Sequence, residues 1–366
     1  MTTRRDSVTA CAPAYLERSP PLPTSHRQAI SALQQCQSGA YGHSLSQCPT
    51  GGGQHRVHHA CGHRHCPQGQ QHTTQQGLAH HLAKQLPGPH VLLTCTVPEP
   101  LRPFLRSPQR LASQAMFQAS AMALKRLAAD ARFSGTDLPG FPGVLHTWGR
   151  PLQYHPHIHY MVPGGGLSKD RPTWRPARAN CFVPVKALSP ISRALCKDAR
   201  CHAGLREPIA PQGWTIPWNV HSQANHHGSS AFTSLAPYVF KGAISNHRIV
   251  GLQDRTVTFT YRKVGRARLR TTHLDVLEFI RRFLQHVLPE GFQKVRHCGL
   301  LHARCTLSLA TIRRWIVQEP ASEDQPPLRQ PQFPRAACCP TCGTPMRVVL
   351  RRWSSSRDFV DTSGES

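Results

Sequence analysis

The chain has 366 residues, 39% of them hydrophobic, which is long enough for two or three domains and a sizeable buried core. Its 44 Lys and Arg against 18 Asp and Glu leave a formal charge of +26, spread along the chain rather than gathered in a tail; this points to a polyanionic partner, most simply nucleic acid. No run of about 18 apolar residues offers a membrane span, and Met1 to Pro23 holds no apolar segment that would serve as a secretory signal. Fourteen cysteines in a chain without an export signal read as thiols and metal ligands, and the expected compartment is the cytoplasm, at a chromosome or plasmid.

Taken in order, residues 1–25 are rich in Pro, Ser and Thr and read as a disordered leader. Residues 26–90 read as a small zinc-binding, DNA-binding domain. Its first fifty residues are crowded with Cys, His, Gly and Gln and poor in large apolar groups, so a metal would have to supply the folding energy. Candidate ligands are Cys36, Cys48, Cys61 and Cys66, with His43, His55, His58, His59, His63 and His65 nearby. Paired C-x-x-C knuckles are missing, so free thiols are the alternative reading.

A catalytic domain is expected over residues 91–316. His90 to Val97 reads as a strand closed by Pro98 and Pro100. Leu111 to Ala131 reads as a long helix with Leu111, Ala115, Met122, Leu124 and Leu127 on its apolar face. Gly143 to Trp148 is a second strand, joined through Gly149-Arg150-Pro151 to Tyr154-His155-Pro156-His157-Ile158-His159-Tyr160-Met161-Val162-Pro163. Alternation in an extended chain sets His155, His157 and His159 on one face, and Tyr154, Ile158, Tyr160 and Val162 on the other. Two imidazoles at i and i+2 can hold one divalent cation able to polarise a phosphate. With 24 histidines in the chain, roughly one or two H-x-H pairs arise by chance, and His63/His65 is another. Pro156 belongs near the strand start, and Gly164-Gly165-Gly166 ends it.

Lys169 to Pro217 resists assignment. Ala231 to Ile244 reads as a helix kinked by Pro237, on which Tyr238 and Lys241 share a face. A phenolate is a nucleophile, and a nearby ammonium favours that form or steadies a phosphate; the bland alternative is a half-buried tyrosine. Val257 to Tyr261 and Arg266 to Arg270 form a hairpin, with Arg266, Arg268 and Arg270 on one face, either contacting phosphate or solvated. Thr272 with Asp275 resembles a capping box for an amphipathic helix running to Leu288. Residues 317–366 read as a linker and a tail with a solitary C-x-x-C, Cys339 and Cys342, completed by Cys338 or a distant His, or inert.

These stretches together resemble the transposases of rolling-circle insertion sequences of the IS91 type, within the HUH single-strand nuclease superfamily. The resemblance rests on Leu145-His146-Thr147 and the histidine strand, on Pro237-Tyr238 through Ile249, on Cys61-Gly62-His63-Arg64-His65-Cys66-Pro67, on Leu284 to Phe292, and on the terminal Cys339-x-x-Cys342. It implies an α+β fold, a ferredoxin-like palm in which helices flank an antiparallel sheet. It implies that Tyr238 attacks a DNA phosphodiester, giving a 5′-phosphotyrosine and a free 3′-hydroxyl, and that His157 and His159 bind Mg2+ or Mn2+. It implies structural Zn2+, single-stranded DNA (element ends and target) as partner, and Arg248 among the DNA-binding residues. His146 is nominated as third metal ligand, with His155 as second choice. The chain departs from the family at Ser234, where many relatives have a first tyrosine, and at Gly51 and Gly69, where they usually have cysteine. Two rival readings are a non-catalytic zinc-dependent nucleic-acid-binding protein and an inactive transposase remnant.

Overall fold

A computed structural model describes residues 4–66, 83–168, 173–177, 184–204, 211–225, 242–262, 268–317 and 338–354, with 68, 77 and 80 singly. The chain opens on α1 (Arg4–Arg18) and α2 (Thr24–Gln35) where a disordered leader was expected. Val8, Ala12 and Tyr15 recur at helical spacing and are buried, as are Ala29, Ile30 and Leu33 of α2, so this segment has an apolar face to dock. A hairpin follows, β1 (His43–Gln47) with β2 (Gln54–His58).

The central part runs β3 (His90–Thr96), α3 (Arg102–Arg106), α4 (Gln109–Ala129), β4 (Leu138–Trp148), β5 (Tyr154–Pro163), β6 (Gly165–Leu167) and β7 (Trp174–Pro176). It continues through α5 (Val185–His202), the short α6 (Gln212–Thr215), β8 (Asn219–Asn225), β9 (Ile249–Gln253), β10 (Thr256–Arg262) and β11 (Leu269–Asp275). The chain closes with α7 (Val276–Leu284), β12 (Val295–Gly299), α8 (Leu309–Val317) and β13 (Arg347–Arg352).

The large sheet has the order β7-β6-β4-β5-β3-β8, with β12 also paired to β4, and its neighbouring strands are antiparallel. This is the α+β arrangement of sheet and flanking helices expected from the sequence. The histidine strand β5 is central, with Pro156 near its start, beyond the last residue paired to β3. Tyr154, Ile158, Tyr160 and Val162 face the main core, shared with Phe104, Ala112, Met116, Phe117 and Leu124 of the helices. Tyr160 is fully buried, with its hydroxyl 2.7 Å from Ser120 Oγ. Its ring lies across Gly143, where a Cβ would come within 2.5 Å of Tyr160 Cε1; only glycine fits there.

Several expectations need correction. The core face of α4 is Ala112, Ala115, Met116, Ala119, Ala123, Leu124 and Leu127, whereas Leu111 and Met122 are 45% and 46% exposed. The histidine strand does end at Pro163, ahead of the glycine run as expected, but the run itself starts β6 at Gly165, which pairs with both β4 and β7. Of the helix expected over 231–244, residues 231–241 lie outside the described part, and 242–244 are irregular. Thr272 sits inside β11, and Asp275 itself caps α7, its Oδ1 accepting from Leu277 N (2.8 Å) and Glu278 N (3.4 Å). The polar tail contains β13, which returns to pair antiparallel with β1. Among the described residues no helix is long and apolar enough to cross a membrane.

Candidate functional site

The register of three strands assembles the histidines. His146 of β4 lies opposite His157 of β5, and Thr94 of β3 lies opposite His159. Residues directly opposed across antiparallel strands share a face, so these side chains meet on the side of the sheet away from α4. The ligand nitrogens of His146, His157 and His159 lie within 4.8 Å of one another. Ring centroids are 5.1 Å apart for His146–His157, 4.5 Å for His146–His159 and 4.8 Å for His157–His159. His155 has its ring 5.2 Å from that of His157 but stands outside this group. The nominated His146, not the second choice, joins the pair.

Hydrogen bonds fix the rings. The His155 carbonyl can only accept, so His157 Nδ1 carries the hydrogen at 2.7 Å and Nε2 keeps its lone pair. His159 Nδ1 is 2.9 Å from Thr94 Oγ1. Trp148 stacks on His146 at 5.1 Å and 14°. Desolvation, helped by neighbouring His159, lowers the His157 pKa to about 3, and desolvation lowers that of His159 to about 4. Both rings are therefore neutral near pH 7, the form that ligates metal. Three imidazoles with no carboxylate joining them, among the described residues, suit one divalent cation of the first transition row.

The cysteines divide into two groups. Cys36, Cys61 and Cys66 form one, with Cys36 Sγ and Cys66 Sγ 3.4 Å apart. A tetrahedron with 2.3 Å zinc–sulfur arms has edges of about 3.8 Å, so the spacing suits that ion. Shared thiol hydrogen bonds with Cys36, then burial, push the Cys61 and Cys66 pKa values up, so the thiols resist ionising together without a cation. Cys48 does not join them. It meets Cys339 and Cys342, with Cys48 Sγ 3.4 Å from Cys342 Sγ, so the solitary C-x-x-C finds its partner in neither Cys338 nor a histidine.

Tyr238, Lys241, Ser234, Arg266 and Gly69 lie outside the described residues. Arg268 and Arg270 are exposed. Arg248 is committed to the fold, its Nε donating to Thr260 O (2.8 Å) and Nη2 to Arg150 O (2.5 Å). Thr94 and Trp148 escaped the sequence reading, although alternation along β3 and β4 already set them on the histidine face. Lys294 also escaped it. Its Nζ lies 4.7 Å over the Trp148 ring, and burial lowers its pKa to about 7. No sequence signal marks it.

Fold and sites together define a metal-binding α+β protein whose cysteine-rich N-terminal module precedes a sheet bearing a histidine cluster. Comparison with known proteins is specific. A family described as a putative transposase matches residues 140–308, and one described as a transposase zinc-binding domain matches residues 7–97. A relative described as putative transposase y4qJ of Sinorhizobium fredii is 33% identical over 313 residues, covering 80% of this chain and 78% of the relative. The transposase for insertion sequence element IS801 of Pseudomonas savastanoi pv. phaseolicola is 28% identical over 207 residues, covering 50% and 49%. No solved structure matches. The chain belongs to the IS91 family of transposases, with an N-terminal zinc-binding domain, and DNA is therefore its partner.

Proposed function

We propose that this transposase is a metal-dependent transesterase of the HUH type, acting on single-stranded DNA to mobilise its own element by rolling-circle transposition. The observation that carries the reading is the convergence of His146, His157 and His159 on one sheet face. A bound divalent cation would supply Lewis-acid polarisation of the scissile phosphate. With nitrogen donors only, Mn2+ suits the site better than the harder Mg2+. Thr94 and the His155 carbonyl hold the His159 and His157 rings through their Nδ1 atoms.

Tyr238 is the proposed nucleophile. Its phenolic oxygen gives up a proton and bonds to phosphorus, while the 3′-oxygen leaves and takes up a proton; the 5′ end stays on the enzyme as phosphotyrosine. Lys241 would favour the phenolate or steady the phosphate. Tyr238 and the three histidines all fall within the stretch matched by the transposase family, residues 140–308. Arg266, Arg268 and Arg270 are the proposed phosphate contacts, and Cys36, Cys61 and Cys66 the proposed ligands of structural zinc.

The test incubates full-length protein with single-stranded DNA from the element's end plus Mn2+, resolved under denaturing conditions. Wild type is expected to form a covalent adduct that Tyr238→Phe and His157→Ala abolish. DNA binding with no adduct under any metal would refute the reading.

A further inference from the structure

We propose that Cys48, Cys339 and Cys342 form a second thiolate metal site, separate from the N-terminal one. It would clasp residues 338–354 to the β1–β2 hairpin and take a soft divalent cation such as zinc, with one coordination position left open.

Two tight loops face each other there. Cys48 begins the turn between β1 and β2, where its N donates to Gly53 O (2.9 Å), Gly52 N donates to Cys48 O (3.0 Å) and Gly51 N points at Cys48 Sγ (3.4 Å). Cys339 and Cys342 flank the opposing turn, in which Cys339 N donates to Thr344 O (2.9 Å) and Gly343 N to Cys339 O (2.8 Å). Thr50 Oγ1 and Thr344 Oγ1 join the loops at 3.2 Å. Three sulfurs therefore lie within 4.8 Å of one another although 294 residues of sequence separate Cys48 from Cys342.

Apolar packing does not explain that docking. Every residue of β13 is exposed, Val348, Val349 and Leu350 by 48%, 51% and 48%. Beyond its backbone ladder to β1 and the Trp353 ring 3.9 Å from that of His59, so exposed a strand has little to hold it, and thiolate–zinc bonds are a stabilisation that small modules use. The fourth position is open for a visible reason. Gly51 follows Cys48 by the spacing that separates Cys342 from Cys339, and a Cβ built there would meet nothing within 4 Å. The Cys338 sulfur is not in the group. Among the described residues the site is therefore one side chain short of a closed four-thiolate ribbon. Its open position would be filled by water or an external ligand, as closed structural sites do not allow.

The test uses full-length protein loaded with Co2+, because sulfur-to-cobalt charge-transfer absorption counts cysteine-bound metal and is silent to the histidine site. The double variant Cys339→Ser/Cys342→Ser is expected to lose roughly half of this absorption, since each group contributes three sulfurs. Gly51→Cys is expected to raise it and to slow chelator-driven release of the more labile zinc by on the order of 10- to 100-fold. Unchanged absorption in the double variant, or unchanged release in Gly51→Cys, would overturn the proposal. The gain of a ligand keeps the test decisive even if the double variant fails to fold. DNA cleavage reports on neither result, so this site and the transesterase reading fail independently.

Discussion

At the scale of single residues, one strand does two jobs through alternation. The odd-numbered face of β5 carries His157 and His159, and the even-numbered face anchors it to the helices. Tyr160 is the largest of the fully buried anchors, its hydroxyl 2.7 Å from Ser120 Oγ. Removing that hydroxyl takes one hydrogen bond from Ser120, which still donates to Met116 O at 2.7 Å, so Tyr160→Phe should cost about 1 kcal/mol in urea unfolding without changing the adduct yield. Much of this was legible: the two faces follow from the sequence alone, because period-two alternation needs no tertiary information. The third histidine of the cluster was less so. His146 required knowing which residue of β4 lies opposite His157, and register depends on a hairpin whose irregular pairing between His146 and Trp148 the sequence does not announce.

At the scale of elements, β3, α4, β10 and the start of α7 were readable because each combines a clear period with a punctuating Pro, Gly or cap, whereas the strand expected over Arg266–Arg270 lies at Leu269–Asp275 and α7 ends at Leu284 rather than Leu288. The error at α7 is instructive. The sequence offers two acceptors three residues apart, Thr272 and Asp275, and only the strand pairing of Thr272 with Phe259 decides between them. Asp275→Ala should therefore destabilise the protein by about 1 kcal/mol, whereas Thr272→Ala should leave the helix start intact, as measured by chemical unfolding of both variants. β12 was invisible for a different reason. Val295-Arg296-His297-Cys298-Gly299 is too polar to read as a strand, and Arg296 is accommodated only because its guanidinium stacks 4.6 Å from the Phe117 ring.

At the scale of the whole molecule, the chain returns on itself: β13 extends the β1–β2 sheet, so the cysteine-rich module is built from both ends of the sequence. A contact of such sequence separation leaves no local signature, which is why Cys339 and Cys342 read as an isolated pair. Buried neutral imidazoles also give the fold a pH dependence. His286 donates from Nε2 to Leu152 O and meets Thr147 Oγ1 through Nδ1, both at 3.2 Å, and burial lowers its pKa to about 4. An unfolded imidazole takes up a proton below about pH 6.5 while this one does not, so the unfolded state gains and stability falls as pH drops from 6.5 towards 4. The loss from this one ring is on the order of 2 kcal/mol between pH 7 and pH 5. His286→Gln should flatten that slope in unfolding experiments at the two pH values; an unchanged slope would assign the acid sensitivity elsewhere.

In the proposed function, the imidazoles of His146, His157 and His159 hold a single divalent cation that serves cleavage by Tyr238. Electron spin-echo spectroscopy of bound Mn2+ tests it most directly, because each ligating imidazole leaves a nitrogen modulation. The account predicts modulation from three nitrogens in wild type. It predicts weakened modulation or lost binding in His146→Ala, His157→Ala and His159→Ala, and full retention in His155→Ala. Mn2+ bound without nitrogen modulation, or undiminished in His157→Ala, would contradict it.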